Sequence, residues 1–435
     1  MREYCSNEKR LKIKESMRMT KERRSKQFCR VFKLKIDESK LSNKQKTQLK
    51  MLFVEGKWIK NDRLAWANEN GKSVFDCIRP RKHEFVKVKT KDGSFEMREL
   101  KYIGSQMAQG VVDEMKSNMK TIVKLTKQGL QHGGKIRFAS ELRSINLVQY
   151  GTTYKFKSSR KMKIQGVSGL VYVSGAKQFF GNDDIEIASA KILNTPKGYY
   201  ISVSTFTYFE KLPIKHFNGK NIALDLGCET SITYSDGRKQ SVLIEESERL
   251  KRLQRKLSRQ VRGSNNRNRT RKLIRVEYQK MTNSKNDASN KILSELKHYD
   301  NVVIQDEQLS KWQKSGHGKK VQHSILGRIK SKLKNQFDNI ILLSSNIPTT
   351  KICMDCGSTH KMSQSQRVFS CDCGVTMDRD VHAAKNMIEI AKMVLGNDLT
   401  VPAGHRELKR EEFLDAYEKR FGVCYGNVES RSCCA

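Results

Sequence analysis

NIALDLGCETSITYSDGRKQSVLI, residues 221–244, carries the reading that decides the architecture of the C-terminal half. Ile222 to Leu226 is an apolar run interrupted by one acid, Asp225, and reads as a strand. ITYSDG, residues 232–237, turns a hairpin at Asp236-Gly237, a pair suited to a tight turn because both residues tolerate left-handed backbone. Val242-Leu243-Ile244 supplies a third strand. An acid in the middle of an apolar strand is costly unless it is paired or bound to a cation, so Asp225 is a candidate functional residue.

Downstream, residues 246–297 are helical and very basic. Leu250, Leu253, Leu257 and Val261 line one face, and Leu273, Val276, Ile292 and Leu296 continue it beyond the polar break GSNNRNRT. A strand VVIQDE (302–307), a helix over about 321–335, a strand NIILLSS (339–345) and a last helix over about 381–395 follow. Three antiparallel strands, a helix, then strand–helix–strand–helix is the order of an RNase H-like α/β fold. The tail beyond Leu395 reads as mixed and partly disordered, with Cys433 and Cys434 as incidental thiols. No internal repeat is found.

Between the last strand and the last helix lies CMDCGSTHKMSQSQRVFSCDCG, residues 353–374. Cys353/Cys356 and Cys371/Cys373 are two close pairs, the spacing of a zinc ribbon. Each pair sets two soft thiolates on a tight knuckle, and four can close a tetrahedron around structural Zn²⁺. Gly357 and Gly374 stand just after the pairs, where a knuckle must turn. His360 is a spare ligand at most. A four-sulfur site leaves no open position for water, so the chemistry must lie elsewhere.

Upstream, residues 1–26 form a basic arm expected to be mobile or ordered only on nucleic acid; translation could also begin at Met17 or Met19. QFCRVFKLKI (27–36) alternates as a half-buried strand. Ser42 to about Trp66 reads as a helix, with Ser42 and Gln45 set for a capping box. A second helix is expected over about 97–130, its stripe of Ile103, Met107, Met115, Met119 and Ile122 serving as core. Short strands at 144–148, 153–157, 161–165, 170–174, 185–193 and 199–207, separated by glycines, indicate a small barrel or sandwich. The strand at 27–36 joins it, and the helices are an insert.

The chain has 435 residues, with 85 Lys and Arg against 46 Asp and Glu, a formal charge of +39. That surplus points to a polyanion, and nucleic acid is the simplest one. Of eleven cysteines, four go to the ribbon and the other seven show no disulfide-like spacing; with no signal-peptide pattern, a reducing, cytoplasmic, prokaryotic setting is expected. No apolar run approaches the ~20 residues of a membrane span, so no membrane partner is expected.

Asp225, the pair Asp306/Glu307 and Asp380 each sit on a core element of the RNase H-like order. Convergence would let them hold two Mg²⁺ ions for in-line phosphodiester hydrolysis, one activating water and one stabilising the leaving 3′ oxygen. Hard carboxylate oxygens suit Mg²⁺ and thiolates do not, which excludes Cys228 as a ligand. Trp58 and Trp312 are candidate base-stacking or core residues. Lys319, Lys320 and Arg328 are a phosphate-facing or simply solvated surface. Gly316-His317-Gly318 is a flexible loop near the acids.

IALDLG, VVIQDEQL, the zinc ribbon and DRDVHAAKN (378–386) together resemble the RuvC nuclease of TnpB-type proteins, transposon-encoded RNA-guided DNA endonucleases related to the miniature type V CRISPR effectors. KRLQRKLSRQVRGSNNRNRTRKL (251–273), MTKERRSKQFCRVFKLKI (19–36), QYGTTYKFKSSRKMKIQG (149–166) and VPAGHRE (401–407) are similar to further segments of that group. The resemblance implies a multidomain α+β chain: basic arm 1–26, wedge β-barrel 27–40 and 136–218, helical recognition insert 41–135, RuvC nuclease 219–346 and 375–400, zinc ribbon 347–374 and tail 401–435. It also implies a guide RNA, a double-stranded DNA target chosen by pairing, a short adjacent motif read by the N-terminal half, and catalytic Asp225, Glu307 and Asp380.

Two departures from the family pattern stand out. The commoner second motif reads Val-Glu-Asp-Leu-Asn-Val, and its glutamate falls at Gln305. Glu307, two residues on, shares that strand face, whereas Asp306 would face away; the second-motif acid is taken as Glu307, with Asp306 the alternative. His382 stands where the third motif usually has asparagine and is expected to support the metal site. Asp378 is expected to cap or orient. Three readings remain beside a transposon-associated nuclease: a CRISPR effector with the same chemistry, a nuclease-inactive RNA-guided repressor, and a strand transposase proper.

Overall fold

The computed structural model describes residues 7–425 except 91, 130–132, 212–218, 313–315, 338, 364, 398, 400–403 and 423–424. Residues 1–6 of the basic arm, Val401–Ala403 of the VPAGHRE segment, and Cys433 and Cys434 of the tail therefore lie outside the described residues. The chain divides into two compact units, Met1–Pro213 and Ile214–Ala435.

The first unit begins with α1 (Asn7–Ser25), then β1 (Gln27–Ile36) and α2 (Asn43–Glu69). The part of the arm expected to be mobile is thus a helix from Asn7; its lysines, arginines and glutamates are all good helix formers. Arg24 anchors its end, bonding Glu186 at 2.7 Å and covering the Phe206 ring at 3.5 Å. At the start of α2, Ser42 Oγ accepts from the Gln45 amide at 3.2 Å and the Gln45 side chain accepts from the Ser42 amide at 3.0 Å, completing the expected capping box.

A hairpin, β2 (Phe85–Lys89) and β3 (Phe95–Glu99), precedes α3 (Ser105–Lys127). The helix expected from residue 97 therefore starts eight residues later. The first residues assigned to that helix belong instead to FEMRE, a strand whose residues are almost all exposed on the hairpin. Met107 and Met115 are buried in the core as expected. Buried Glu55 of α2 accepts from the backbone amides of Lys101, Tyr102 and Ile103 at 2.7–3.1 Å, which fixes the chain's entry into α3.

The strands β4 (Ser144–Leu147), β5 (Tyr154–Ser158), β6 (Lys161–Ile164), β7 (Val171–Ser174), β8 (Glu186–Thr195) and β9 (Gly198–Tyr208) form with β1 one seven-stranded sheet in the order β4-β8-β9-β1-β7-β6-β5. The Tyr154 hydroxyl on the last strand donates to the Ala188 carbonyl of β8 at 2.9 Å. The sheet is nearly closed, and alternating residues such as Leu34, Ile36, Ile192, Ile201 and Val203 fill it.

The second unit is a mixed α/β sandwich. Its strands are β10 (Asn221–Asp225), β11 (Ile232–Tyr234), β12 (Lys239–Gln240), β13 (Asn301–Gln305) and β14 (Asn339–Leu343). A hairpin, β15 (Val368–Ser370) and β16 (Thr376–Asp378), stands apart, and β17 (Gly404–Leu408) closes the set. The main sheet runs β12-β11-β10-β13-β14-β17, with β10, β13, β14 and β17 parallel. The third strand of the hairpin system is Lys239–Gln240, not Val242–Ile244. Leu243 instead bridges to Ser324, and the Ile244 amide donates to the His323 carbonyl at 3.0 Å.

The helices are α4 (Glu248–Arg259), α5 (Asn265–Leu296), the short α6 (Leu309–Trp312) and α7 (Gly318–His323), α8 (Leu326–Gln336), α9 (Arg379–Leu395) and α10 (Arg410–Phe421). Successive strand residues face opposite sides, and here the parity matters. Leu224, Ile304 and Leu342 pack against α5 and α8, through Ile292, Leu296, Ile329 and Leu333. Ala223, Val303 and Ile341 pack against α9 and α10, through Met387, Ile390, Phe413 and Tyr417. Continuous apolar strands are what a sheet covered on both faces requires.

The tail, expected to be mixed and partly disordered, contributes β17 and α10. Both look polar in sequence because each buries little: Leu408 on the edge strand, Phe413 and Tyr417 on the helix. No described helix is long and apolar enough to cross a membrane.

Candidate active site

The parity of β10 and β13 decides which acids meet. Asp225 shares the face of Ala223 and so looks toward α9, whose first turn carries Asp380. Glu307 follows Gln305 by two residues and extends the same face. The three carboxylates line one open cleft of ≈ 810 Å³, together with Gln305 and Arg379. Asp225 has its carboxyl pushed up to about 7, first by burial and then by the nearby charges of Asp380 and Glu307, with Arg379 opposing the shift. Three like charges sharing a partly desolvated space repel, and a bound cation would relieve that repulsion. Among the described residues their oxygens do not all lie within 4.8 Å of one another; the cysteine sulfurs are the group that does.

Asp306 lies on the other face. Lys330 and Lys334 of α8 bond it at 2.7 and 2.8 Å. Its partial burial would raise its pKa, but the two ammonium groups outweigh this and hold it below the usual carboxylate range. Gln305, standing at the usual glutamate's place, is buried. Its amide donates to the carbonyls of Ser344 and Ile347 at 3.1 and 2.7 Å and accepts from Thr349 at 3.0 Å. It ties β13 to the chain leaving β14.

Asp378 caps α9, accepting from the amides of Asp380 and Val381 at 3.1 Å each, and its other oxygen bonds Lys239 at 2.7 Å. The Arg379 guanidinium bonds one oxygen of Asp380, Oδ1, at 3.0–3.1 Å and donates to the Gln366 carbonyl at 3.0 Å. It thereby links the acid to the loop before β15. His382 does not face the acids. It is buried, stacked on Phe369 of β15 at 3.6 Å, and burial holds its pKa down to about 4. Asn386 donates to the carbonyls of Thr349 and Ile352 at 2.8 and 2.7 Å, a packing role.

Cys353, Cys356, Cys371 and Cys373 bring their sulfurs within 4.8 Å of one another. The pairs Cys353–Cys373 and Cys356–Cys371 lie 3.6 and 3.5 Å apart. A tetrahedron with Zn–S bonds of ~2.3 Å has edges of about 3.8 Å, so the four thiolates fit a zinc ion. Both knuckle glycines are left-handed, Gly357 at φ +79° and Gly374 at φ +97°. Among the described residues the ribbon's own core cluster is Phe369 with the ligand candidates Cys353 and Cys371, flanked by half-buried Met362 and Val375, a small core of the kind that a structural metal commonly completes. The α10 helix braces the first knuckle: the Tyr417 hydroxyl donates to the Gly357 carbonyl, and Arg420 donates to the Met354 carbonyl at 3.1 Å.

Of the other expected residues, Trp58 is buried in the core of the first unit. Trp312 packs against the core of the second and also lines the cleft. Lys320 pairs with Glu229, Lys319 is exposed, and His317 lines the cleft. Sequence reasoning missed the basic residues Lys351, Arg367 and Arg410, which line the cleft as Tyr425 does. These come from loops and from the supposed tail, where no periodic pattern marks them.

Residues 323–387 match a family model described as "Cas12f1-like, TNB domain", and residues 209–314 match the OrfB_IS605 model, described as "Probable transposase". A "Putative RNA-guided DNA endonuclease" of Streptomyces pristinaespiralis is 27% identical over 180 residues, 38% of this chain and 44% of the relative. "Putative RNA-guided DNA endonuclease InsQ" of Escherichia coli K12 is 29% identical over 238 residues, 49% of this chain and 58% of the relative. The chain thus spans about half the length of these curated relatives. A cryo-EM structure of a Cas12f1–sgRNA–target DNA complex aligns over 79% of this chain and 82% of its own, at 12% identity and a TM-score of 0.43. The chain resembles TnpB-type proteins in the two segments that hold the acids and the ribbon.

Proposed function

We propose that this chain is an RNA-guided DNA endonuclease of the TnpB type, hydrolysing phosphodiester bonds at the cleft of Asp225, Glu307 and Asp380. The observation that carries the reading is their convergence from three separate elements, with Asp306 turned to lysines on the opposite face. The strand order of the second unit supports an RNase H-like nuclease at 219–346 and 375–400 with the zinc ribbon, 347–374, inserted. The curled sheet supports a wedge barrel at 27–40 and 136–218, with a recognition insert at 41–135. The formal charge of +39 supports guide RNA and DNA as partners, as do the names of the curated relatives.

The three carboxylates are hard donors fit to hold Mg²⁺, and the four cysteines to hold Zn²⁺. When bound, two Mg²⁺ ions supply an activated water and charge stabilisation at the leaving 3′ oxygen. The chain's own residues do the positioning. Asp378 fixes the first turn of α9 and hence Asp380. Arg379 holds the Oδ1 oxygen of Asp380. Gln305 anchors the strand end that carries Glu307. Lys351, Arg367 and Arg410, which line the same cleft, bind the phosphates of the strand to be cut.

The test is cleavage. The chain is co-expressed with RNA transcribed from its flanking locus, and the complex is given a plasmid library with a randomised adjacent motif in Mg²⁺. Cutting by the wild type that is lost in Asp225→Ala and Glu307→Ala is expected. Target binding without cutting would favour the repressor reading, and no guided binding at all would overturn the proposal. A transposon end or a repeat array beside the gene separates the transposon protein from a miniature CRISPR effector.

A further inference from the structure

Helix α8 presents two rows of cations, each spaced four residues apart. Lys330 and Lys334 share the carboxylate of Asp306. Arg328 and Lys332 face α5, and no described acid pairs with either. Arg328 Nη1 donates to Asn286 Oδ1 at 2.8 Å; Lys332 Nζ donates to Asn290 Oδ1 at 2.6 Å and to the Asn286 carbonyl at 3.3 Å. Beside them on α5 is Lys285, only 7% exposed, whose ammonium donates to the Gln322 carbonyl. Every described partner of these three cations is a neutral oxygen.

A buried ammonium is expensive unless an opposite charge meets it. Burial, and then the charge of Arg328, depress the affinity of both Lys285 and Lys332 for their protons. Packing alone does not need this arrangement, because an apolar residue would fill the position of Lys285, between α5 and the last turn of α7, at lower cost. A stability-neutral explanation would also put an acid on α5, as Asp306 serves the other row. Asn286 and Asn290 occupy those places instead; they orient the cations without neutralising them. An anion with several oxygens would complete the group, and a guanidinium beside two ammonium groups is suited to phosphate.

We propose that Lys285, Arg328 and Lys332 form a phosphate-binding site on the α5–α8 face, outside the acid cleft, that grips the sugar–phosphate backbone of a nucleic-acid strand. The identity of the phosphate rests on the nuclease reading; the anion site itself does not. A strand held there is anchored on the face of the sheet opposite Asp225 and Asp380.

The experiment uses the full chain, wild type and the double variant Arg328→Gln/Lys332→Gln, with Lys291→Gln as a control on the exposed side of α5. Arg328 and Lys332 are only half-buried, so the fold survives their replacement. Binding of a labelled single-stranded RNA and of a labelled DNA duplex is followed by fluorescence anisotropy over a salt series. Removing one cation that neutralises a phosphate lowers the slope of log K against log salt by about one. The double variant is expected to lose about two on one of the probes, and the affected probe names the strand. The control keeps the wild-type slope. Inorganic phosphate is expected to raise the melting temperature above that in chloride of equal ionic strength, by less in the double variant. Unchanged slopes on both probes with an unchanged phosphate effect would overturn the proposal. A wild type that cuts no target yet shows these shifts leaves the phosphate site standing and removes the nuclease reading.

Discussion

Asp306 and Glu307 are adjacent in sequence and serve opposite faces of one sheet: Asp306 bonds Lys330 and Lys334 on α8, while Glu307 lies in the cleft with Asp225 and Asp380. Their substitutions should therefore separate chemistry from stability. Glu307→Gln is expected to lower the cleavage rate by more than about 10³-fold, a loss of ~4 kcal/mol of transition-state stabilisation, with no loss of melting temperature, and with a gain in metal-free protein because one of the mutually repelling charges around Asp225 is gone. Asp306→Asn should keep most of the activity and cost about 1 kcal/mol in denaturant unfolding, because its carboxylate is partly solvated. Single-turnover rates and urea titrations of both variants make the check; the reverse pattern would move the second-motif role to Asp306.

The ribbon should depend on its metal. One zinc per chain is expected by elemental analysis, and Cys371→Ser should lose it. Gly357→Ala should weaken the site without touching a ligand, because an added Cβ would stand 2.7 Å from the Phe421 ring at φ +79°. The expected readouts are faster zinc release to a chelator and earlier proteolysis between residues 353 and 378.

How legible this was in the sequence differs from element to element. The six barrel strands and β1 were readable because each alternates over several residues between glycine turns. The capping box at Ser42 and Gln45 and the knuckles at Gly357 and Gly374 were readable because short-range geometry fixes their residue types. Glu307 was separable from Asp306 by parity alone, given Gln305. What failed had little burial to report: β3 is nearly all exposed, β17 buries only Leu408 among its described side chains, and α10 fully buries two aromatics in a helix that is mostly charged. The role of Arg379 was invisible because it depends on a loop carbonyl, that of Gln366, brought near by the ribbon hairpin.

The acid cleft should make the metal-free protein sensitive to pH. Asp225 titrates near pH 4 when unfolded and at about 7 when folded. Between those values the folded state holds a proton that the unfolded state has lost, so this group's contribution to stability falls as pH rises from about 4 to about 7. In chelator, the melting temperature should be lower at pH 8 than at pH 5. Asp225→Asn should flatten that dependence and be the more stable protein at pH 8. Mg²⁺ should restore the wild type at pH 8 and leave the variant nearly unchanged. A wild-type profile that rises across this window would contradict the repulsion among the three acids.

The end of the chain should be structural. β17 pairs in parallel with β14 along five residues, from Asn339–Gly404 to Leu343–Leu408. Phe413 and Tyr417 of α10 are fully buried against the sheet and α9, and Tyr417 also reaches the first zinc knuckle. Removing residues 404–435 would strip one side of β14 and expose apolar surface whose burial contributes on the order of 5 kcal/mol, a large share of the ~5–15 kcal/mol that holds a domain together. The truncated chain is expected to aggregate or to lose cooperative unfolding of its second unit, and to retain less than one zinc. A chain ended after Tyr425 should keep both properties. Full stability after removal of 404–435 would mean that β14 is a competent edge strand and that α10 only rests upon it.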